Sequence, residues 1–290
     1  MFGLLSAVSA MLTADVARVA CDREQFQART AGETQVAQER AHKVALEVGR
    51  KKLTFLNQKV LHMHTDFLLE MEAAGRTGMI LECGVAKAGS AIVMAAAKQP
   101  ERCLHLFDTF AGIPPPSGRD GKDVHNRYQV IKSGRAGAGY YGYMSDLLEF
   151  DQRMFREIGY VPAEHAVTFH KGLFNETVVP AGHVAYAHLD GDWYESVFGV
   201  LNVIEPFMVD NGVIVLDDVL SYSGAGQAYK DFFDCQDLSA ISRSNSTTAL
   251  ATTRRVTPRG TRFDLFFVHG KYGAIKRRKG HHTSRHKEEF

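Results

Sequence analysis

The chain has 290 residues, of which 45% are apolar and 23% charged, and its net charge is +1. That apolar content supplies a packed core for one large domain, or one domain with an extension, and the near-neutral balance argues against a generally basic nucleic-acid surface. No apolar run approaches the roughly 20 residues of a membrane span, and the four scattered cysteines, Cys21, Cys83, Cys103 and Cys235, lack paired metal spacing and read as reduced core thiols of a cytoplasmic protein.

Residues 1–76 read as an N-terminal helical arm, rich in Ala, Gln, Glu, Lys and Arg and free of proline. Met1 to Ala20 is mildly apolar but lacks a basic leader region, so it reads as a helix that packs on something. Asp22 to Lys52 is more polar and suits an arm that covers a site or a second subunit. Val60, Met63, Phe67 and Met71 recur at helical spacing. Their stripe would be exposed on a free arm, which predicts a homodimer or a higher homo-oligomer.

Residues 77–270 alternate β-prone and helical runs. Strands are expected at Met79–Cys83, Cys103–Phe107, Ala166–His170, Val184–Leu189 and Val213–Leu216. Helices are expected at Ser90–Lys98, Met144–Ile158, Glu195–Phe207 and Gly226–Phe233. Ser246–Arg255 and Arg262–His269 read as a closing strand pair across the turn Thr257-Pro258-Arg259-Gly260. Such alternation predicts an α/β fold, a seven-stranded, mostly parallel sheet with helices on both faces. The short final turn makes the last strand antiparallel. Ala111 to Tyr143 reads as a long irregular loop with many Gly and Tyr, the usual make-up of a lid. Lys271 to Phe290 reads as a basic, disordered tail, solvated rather than bound to nucleic acid.

Acidic groups follow two of the strands. His188-Leu189-Asp190-Gly191-Asp192 ends one, and Val215-Leu216-Asp217-Asp218 ends the other. In a parallel sheet both ends lie at the carboxyl edge, where ligands bind. Two unit charges about 4 Å apart repel by roughly 4 kcal/mol at an effective dielectric near 20. Four carboxylates in one crevice therefore suit a hard divalent cation, Mg²⁺ or Ca²⁺ rather than zinc. The plainer alternative is that Asp217 or Asp218 caps the next helix.

Leu81-Glu82-Cys83-Gly84-Val85-Ala86-Lys87-Ala88-Gly89-Ser90 ends the first strand. Its glycines allow a tight turn and a close ligand, but the spacing is not the dinucleotide fingerprint. The next strand ends at Asp108, where a carboxylate is placed to accept from ribose hydroxyls. A glycine loop with a ribose acid and no phosphate cradle suits an adenosine ligand without phosphates, such as S-adenosylmethionine.

The set Asp108-Thr109-Phe110-Ala111-Gly112-Ile113-Pro114, Lys171-Gly172-Leu173-Phe174-Asn175-Glu176-Thr177, His188 to Ser196 and Asp217-Asp218 resembles the macrocin O-methyltransferase family. The resemblance spans about residues 78–234. It implies a class I, Rossmann-like methyltransferase fold, S-adenosylmethionine and Mg²⁺. It further implies that Asp190, Asp217 and Asp218 hold the metal and that Asp192 is the general base beside Asp190. Glu82, Gly84, Gly89, Ser90, Asp108 and Thr109 would hold the cofactor. The chain departs from the family at Val85-Ala86-Lys87-Ala88-Gly89, where an aromatic residue, an Arg and two glycines are usual, and at Val219, where a Tyr is usual.

The expected reaction is Mg²⁺-dependent methyl transfer to a hydroxyl of a sugar or a glycosylated small molecule. The cation eases loss of the hydroxyl proton and a nearby carboxylate takes it. His188 is a second candidate base, or a buried strand residue. Trp193 and Tyr194 either wall a pocket or pack at a helix start. A catechol-type O-methyltransferase and a silent S-adenosylmethionine-binding protein are the alternatives. The sequence does not name the acceptor.

Overall fold

A computed structural model describes residues 26–180, 182–234, 253–257, 259–268 and 272–277. The expected helix at Met1–Ala20, the start of the strand read at 246–252, Cys21, Cys235 and the basic end from residue 278 lie outside the described residues.

The helical period of the arm forms α1 (Ala31–Arg50) and α2 (Gln58–Ala73). A capping box starts α1, with the Thr30 side chain accepting from Glu33 N and the Glu33 side chain from Thr30 N. Asn57 caps α2 through Val60 N. Then follow β1 (Met79–Cys83), α3 (Gly89–Ala97), β2 (Leu104–Asp108), α4 (Lys122–Lys132), α5 (Leu147–Ile158), β3 (Val167–Lys171) and the single turn α6 (Phe174–Thr177). The second half holds β4 (Val184–Leu189), α7 (Tyr194–Ile204), β5 (Met208–Leu216), α8 (Ser223–Phe232), β6 (Thr253–Val256), β7 (Arg262–Val268) and β8 (Tyr272–Arg277).

The sheet runs β3-β2-β1-β4-β5-β8-β7-β6. The strands from β3 to β5 are parallel, and β8 lies antiparallel to β5. The chain order reverses between β1 and β4, so the crevice of this fold opens at the carboxyl ends of those two strands. Among the described residues the sheet holds eight strands rather than the expected seven. The extra strand is β8, which falls in the segment expected to be a disordered tail. Its backbone pairs with both β5 and β7, and that non-local pairing leaves no signal in a short basic segment.

Two apolar layers sandwich the sheet. Ile80, Leu104, Leu106, Tyr186 and Val215 meet α1, α2, α3 and α5 on one face. Leu81, Ala187, Leu189, Ile214 and Leu216 meet α7 and α8 on the other. Val60, Met63 and Met71 are buried within the first layer, and Phe67 packs against it. The stripe of the arm is thus covered by its own domain. No second subunit is needed to cover it.

Two more expectations are corrected. The stretch Ala111–Tyr143 is not wholly irregular, because α4 forms inside it and buries Val124 and Ile131, two turns apart on one face. The four cysteines are not all reduced, since Cys103 is disulfide-bonded while Cys83 is free and buried.

Asp151 on α5 is fully buried, and neither of its oxygens has a partner. Burial, with repulsion from Asp108 and Glu82, pushes its carboxyl up to about 9. The folded state then keeps a proton that the unfolded chain loses near pH 3.9. Stability from this group is present below that pH and falls as pH rises toward about 9. Asp151→Asn removes the titration without changing the shape. We expect its urea midpoint to exceed wild type at pH 8 and to match it near pH 4. A wild-type midpoint at pH 8 contradicts this account.

Candidate active site

The register of the central strands levels their ends. Cys83 pairs with Leu189, and Leu189 with Leu216. Asp190 N then donates to Cys83 O at 2.8 Å, and Asp217 N to Leu189 O at 2.9 Å. Gly84, Asp190 and Asp217 stand side by side at the switch point as a result. Gly84 has φ +97, and a Cβ there would strike the Asp190 carbonyl, so this position admits only glycine.

The acids expected at the strand ends lie here in two overlapping groups, and the expected trio of Asp190, Asp217 and Asp218 is not itself one of them. Asp190 shares one cluster with Asp192 and Asp218, and another with His188 and Asp217. Within each cluster the ligand atoms lie within 4.8 Å of one another. Asp192 and Asp218 both hold left-handed backbone at φ 57, a region that Asp and Asn tolerate better than other side chains. Asp217 accepts from Asp218 N at 2.6 Å, which holds the acidic turn together. The oxygen-rich donor set fits a hard divalent cation.

Two cavities flank the acids and share Gly84, Tyr141, Asp190, Asp192 and Trp193. The smaller, 380 Å³, runs along Asp108, Thr109, Leu173 and Phe174. The larger, 820 Å³, holds Asp217 and Asp218 at its floor and Tyr140 and Tyr222 at its wall. Burial pushes the Tyr140 hydroxyl up to about 12 and the Tyr141 hydroxyl well above its usual value, so both stay protonated donors. Of the tyrosines in the expected lid, Tyr140 and Tyr141 line the cavities, while Tyr128 and Tyr143 line neither, and the Tyr143 hydroxyl donates to Ile131 O at 2.7 Å. Trp193 lines both cavities while its indole N–H donates to Pro114 O at 2.9 Å. Tyr194 lines neither and joins Arg119 and Asp231 instead.

The glycine loop is shaped by Asp108. Its carboxylate accepts from Val85 N at 2.8 Å, Ala86 N at 3.2 Å and Phe110 N at 2.9 Å, while the residue borders the smaller cavity. Thr109 lines the same cavity and donates to Gly112 O at 2.5 Å. Gly89 and Ser90 line neither cavity. A Cβ at Gly89 would lie 2.6 Å from Leu53 O, so this glycine admits the arm's loop against the start of α3. Ala86 and Ala88 sit at φ 50 and φ 61, where the chain bears strain that glycine would relieve.

Glu82 takes a different place from the one the sequence suggested. It is fully buried, lines neither cavity, and accepts from His188 Nδ1 at 2.9 Å. The ring of His64 stands 4.4 Å from that of His188, and burial holds its pKa well below the usual histidine range.

Some wall residues escaped the sequence reading. The loop between α1 and α2 places Lys52, Thr54 and the 71% exposed Phe55 on the larger cavity, with Arg127 of α4 beside them. Phe55 sits 6.0 Å from Tyr141, ring to ring. An aromatic residue alone in a short polar connection was the only signal available.

The sequence profile of the Macrocin-O-methyltransferase (TylF) family matches residues 9–244. The 8-demethyl-8-(2,3-dimethoxy-alpha-L-rhamnosyl)-tetracenomycin-C 4'-O-methyltransferase of Streptomyces olivaceus is 29% identical over 152 residues, 50% of this chain and 54% of that protein. The demethyldecarbamoylnovobiocin O-methyltransferase of Streptomyces niveus is 27% identical over 175 residues, 55% of this chain and 61% of that protein. The chain thus spans between half and two thirds of the length of these curated relatives. Among solved structures, the O-methyltransferase NovP superposes with a TM-score of 0.59 at 19% identity, covering 78% of this chain and 82% of its own. The calicheamicin methyltransferase CalS11 superposes with a TM-score of 0.52 at 16% identity, covering 87% and 95%. These likenesses establish the class I methyltransferase fold that the motifs implied.

Proposed function

Since this chain belongs to the Macrocin-O-methyltransferase (TylF) family, we propose that it is an S-adenosylmethionine- and Mg²⁺-dependent O-methyltransferase acting on a hydroxyl of a sugar or glycosylated natural product. One observation carries the reading. Asp190, Asp192, Asp217 and Asp218 all line the larger cavity, and the smaller cavity, which shares Gly84, Asp190 and Asp192 with it, reaches Asp108. The relatives' names add support, since they describe O-methylation of a rhamnosyl tetracenomycin and of a novobiocin precursor.

The cofactor supplies an activated methyl group, and the cation lowers the pKa of an acceptor hydroxyl. The chain's own residues do the rest. Asp108 accepts from ribose hydroxyls and at the same time holds the Val85–Ala86 backbone in place. Asp190, Asp217 and Asp218 hold the cation. Asp192 takes the proton of the hydroxyl as the new carbon–oxygen bond forms and the carbon–sulfur bond breaks. Tyr140, Tyr141, Trp193 and Phe55 wall the acceptor and exclude water. Alignment of the oxygen about 3–3.5 Å from the methyl carbon is the main demand of such a transfer.

Two measurements test this. Labelled S-adenosylmethionine and Mg²⁺ are offered with a panel of rhamnosides, other glycosides and catechols. Label is expected on a sugar hydroxyl, with loss on chelation and return with Mg²⁺. Label on catechols alone overturns the sugar assignment, and full transfer under chelator overturns the role of the acids. Asp108→Ala is expected to weaken S-adenosylmethionine by about 1.5–3 kcal/mol, the worth of hydrogen bonds to a charged group. Calorimetry with an unchanged dissociation constant removes Asp108 from the cofactor site.

A further inference from the structure

Beneath the acids lies a buried polar pair that the chemistry above leaves unused. His188 of β4 and Glu82 of β1 are register partners, and both side chains are fully buried. His188 Nδ1 lies 2.9 Å from Glu82 Oε1. A carboxylate oxygen accepts only, so this contact places the ring proton on Nδ1 and leaves the lone pair on Nε2. That Nε2 is buried and has no hydrogen-bond partner. Buried polar atoms are rarely left so, because an unmet one costs about 1–3 kcal/mol. His188 also brings a ring nitrogen within 4.8 Å of carboxylate oxygens of Asp190 and Asp217. At metal centres a ligating histidine nearly always gives its other N–H to a carboxylate, a backbone carbonyl or a water, which fixes the ring and strengthens the donor.

We propose that His188 is a nitrogen ligand to the divalent cation, together with Asp190 and Asp217, and that Glu82 is the positioning residue that orients it. The centre is then a mixed nitrogen and oxygen site. Such a site takes a transition cation such as Mn²⁺ more tightly than Mg²⁺, whose chemistry prefers oxygen throughout. The inference rests on the reading that the strand-end acids form a metal site, and it adds a donor that the acidic motif does not contain. It also gives Glu82 a task at the metal, in keeping with its distance from both cavities.

The test loads the full chain with Mn²⁺ and reads pulsed electron paramagnetic resonance for coupling to histidine nitrogen. Wild type is expected to show that coupling, and His188→Gln to lose it. Glu82→Gln, whose amide oxygen still accepts from Nδ1–H, is expected to keep the coupling while binding Mn²⁺ about 10–100-fold more weakly. If His188→Gln fails to fold by circular dichroism, the wild-type and Glu82→Gln spectra decide alone. Bound Mn²⁺ without nitrogen coupling in wild type overturns the inference and leaves the proposed function intact, since methyl transfer is read in its own assay. Coupling that survives in folded His188→Gln overturns it as well. A chain that binds no Mn²⁺ overturns both this inference and the metal role of the acids.

Discussion

Asp192→Asn is expected to lower kcat by about 10²–10⁴-fold, the usual share of a positioned general base, while folding and S-adenosylmethionine binding stay near wild type. The backbone argument makes the substitution clean. Asp192 sits at φ 57 beside Gly191, and Asn is the residue that best shares Asp's tolerance of that region. The amide keeps the shape and one acceptor oxygen but no longer takes a proton. Asp192→Ala adds backbone strain to the lost base, so it should lose stability as well as rate. Single-turnover rates across pH discriminate a base from a binding group. Loss of a base removes the rising acid limb of the profile, whereas loss of binding raises KM and leaves the limb. An Asp192→Asn protein with wild-type kcat would move the base elsewhere.

Glu72→Ala is expected to destabilise the fold by about 3–5 kcal/mol, the range for breaking a buried ion pair from one side. Arg102 and Glu72 are both fully buried, with Nε–Oε1 at 2.8 Å and Nη2–Oε2 at 3.0 Å. Arg102 also donates to Gly78 O at 2.5 Å and Arg76 O at 2.8 Å, and its guanidinium lies 3.7 Å from the Phe26 ring centre. Glu72 further accepts from Gln99 N and Gln99 Nε2. The pair thus ties α2 to the turn before β1 and to the end of α3. Removing the carboxylate strands a guanidinium that keeps its charge at any ordinary pH. Urea unfolding measures the loss. The double variant Glu72→Leu with Arg102→Met should recover much of it, because an apolar pair of similar volume leaves no buried charge. A single variant within 1 kcal/mol of wild type would mean that water reaches the site.

Most of the parallel half of the fold was legible in the chain. β1, β2, β4 and the second half of β5 are short, mostly apolar runs buried on both faces, and such runs announce themselves locally. The acids that follow β4 and β5 were visible for the same reason, since a strand end is a local feature and the carboxyl edge of a parallel sheet is where ligands gather. Other features were not legible. β8 has no strand signal of its own, and only pairing with β5 and β7 makes it one. The helix α4 was hidden in a stretch where glycine and tyrosine dominate. Phe55 and Lys52 line the larger cavity from a loop whose Leu53 O accepts from Gly89 N, a contact between the arm and the first helix of the sheet domain.

The alternation of strands and helices, the four carboxylates and the glycine loop at strand ends, and the family to which those motifs point were all written in the order of residues along the chain. Each of these depends on residues near one another in the chain, where hydrophobic period and turn chemistry act directly. Tertiary structure alone decided that the arm folds onto its own sheet, that Glu82 turns inward to His188 rather than toward a cavity, and that Asp108 braces the glycine loop. Those outcomes turn on side chains far apart in sequence competing for one buried space. The winner there is set by which polar groups find partners once water is excluded.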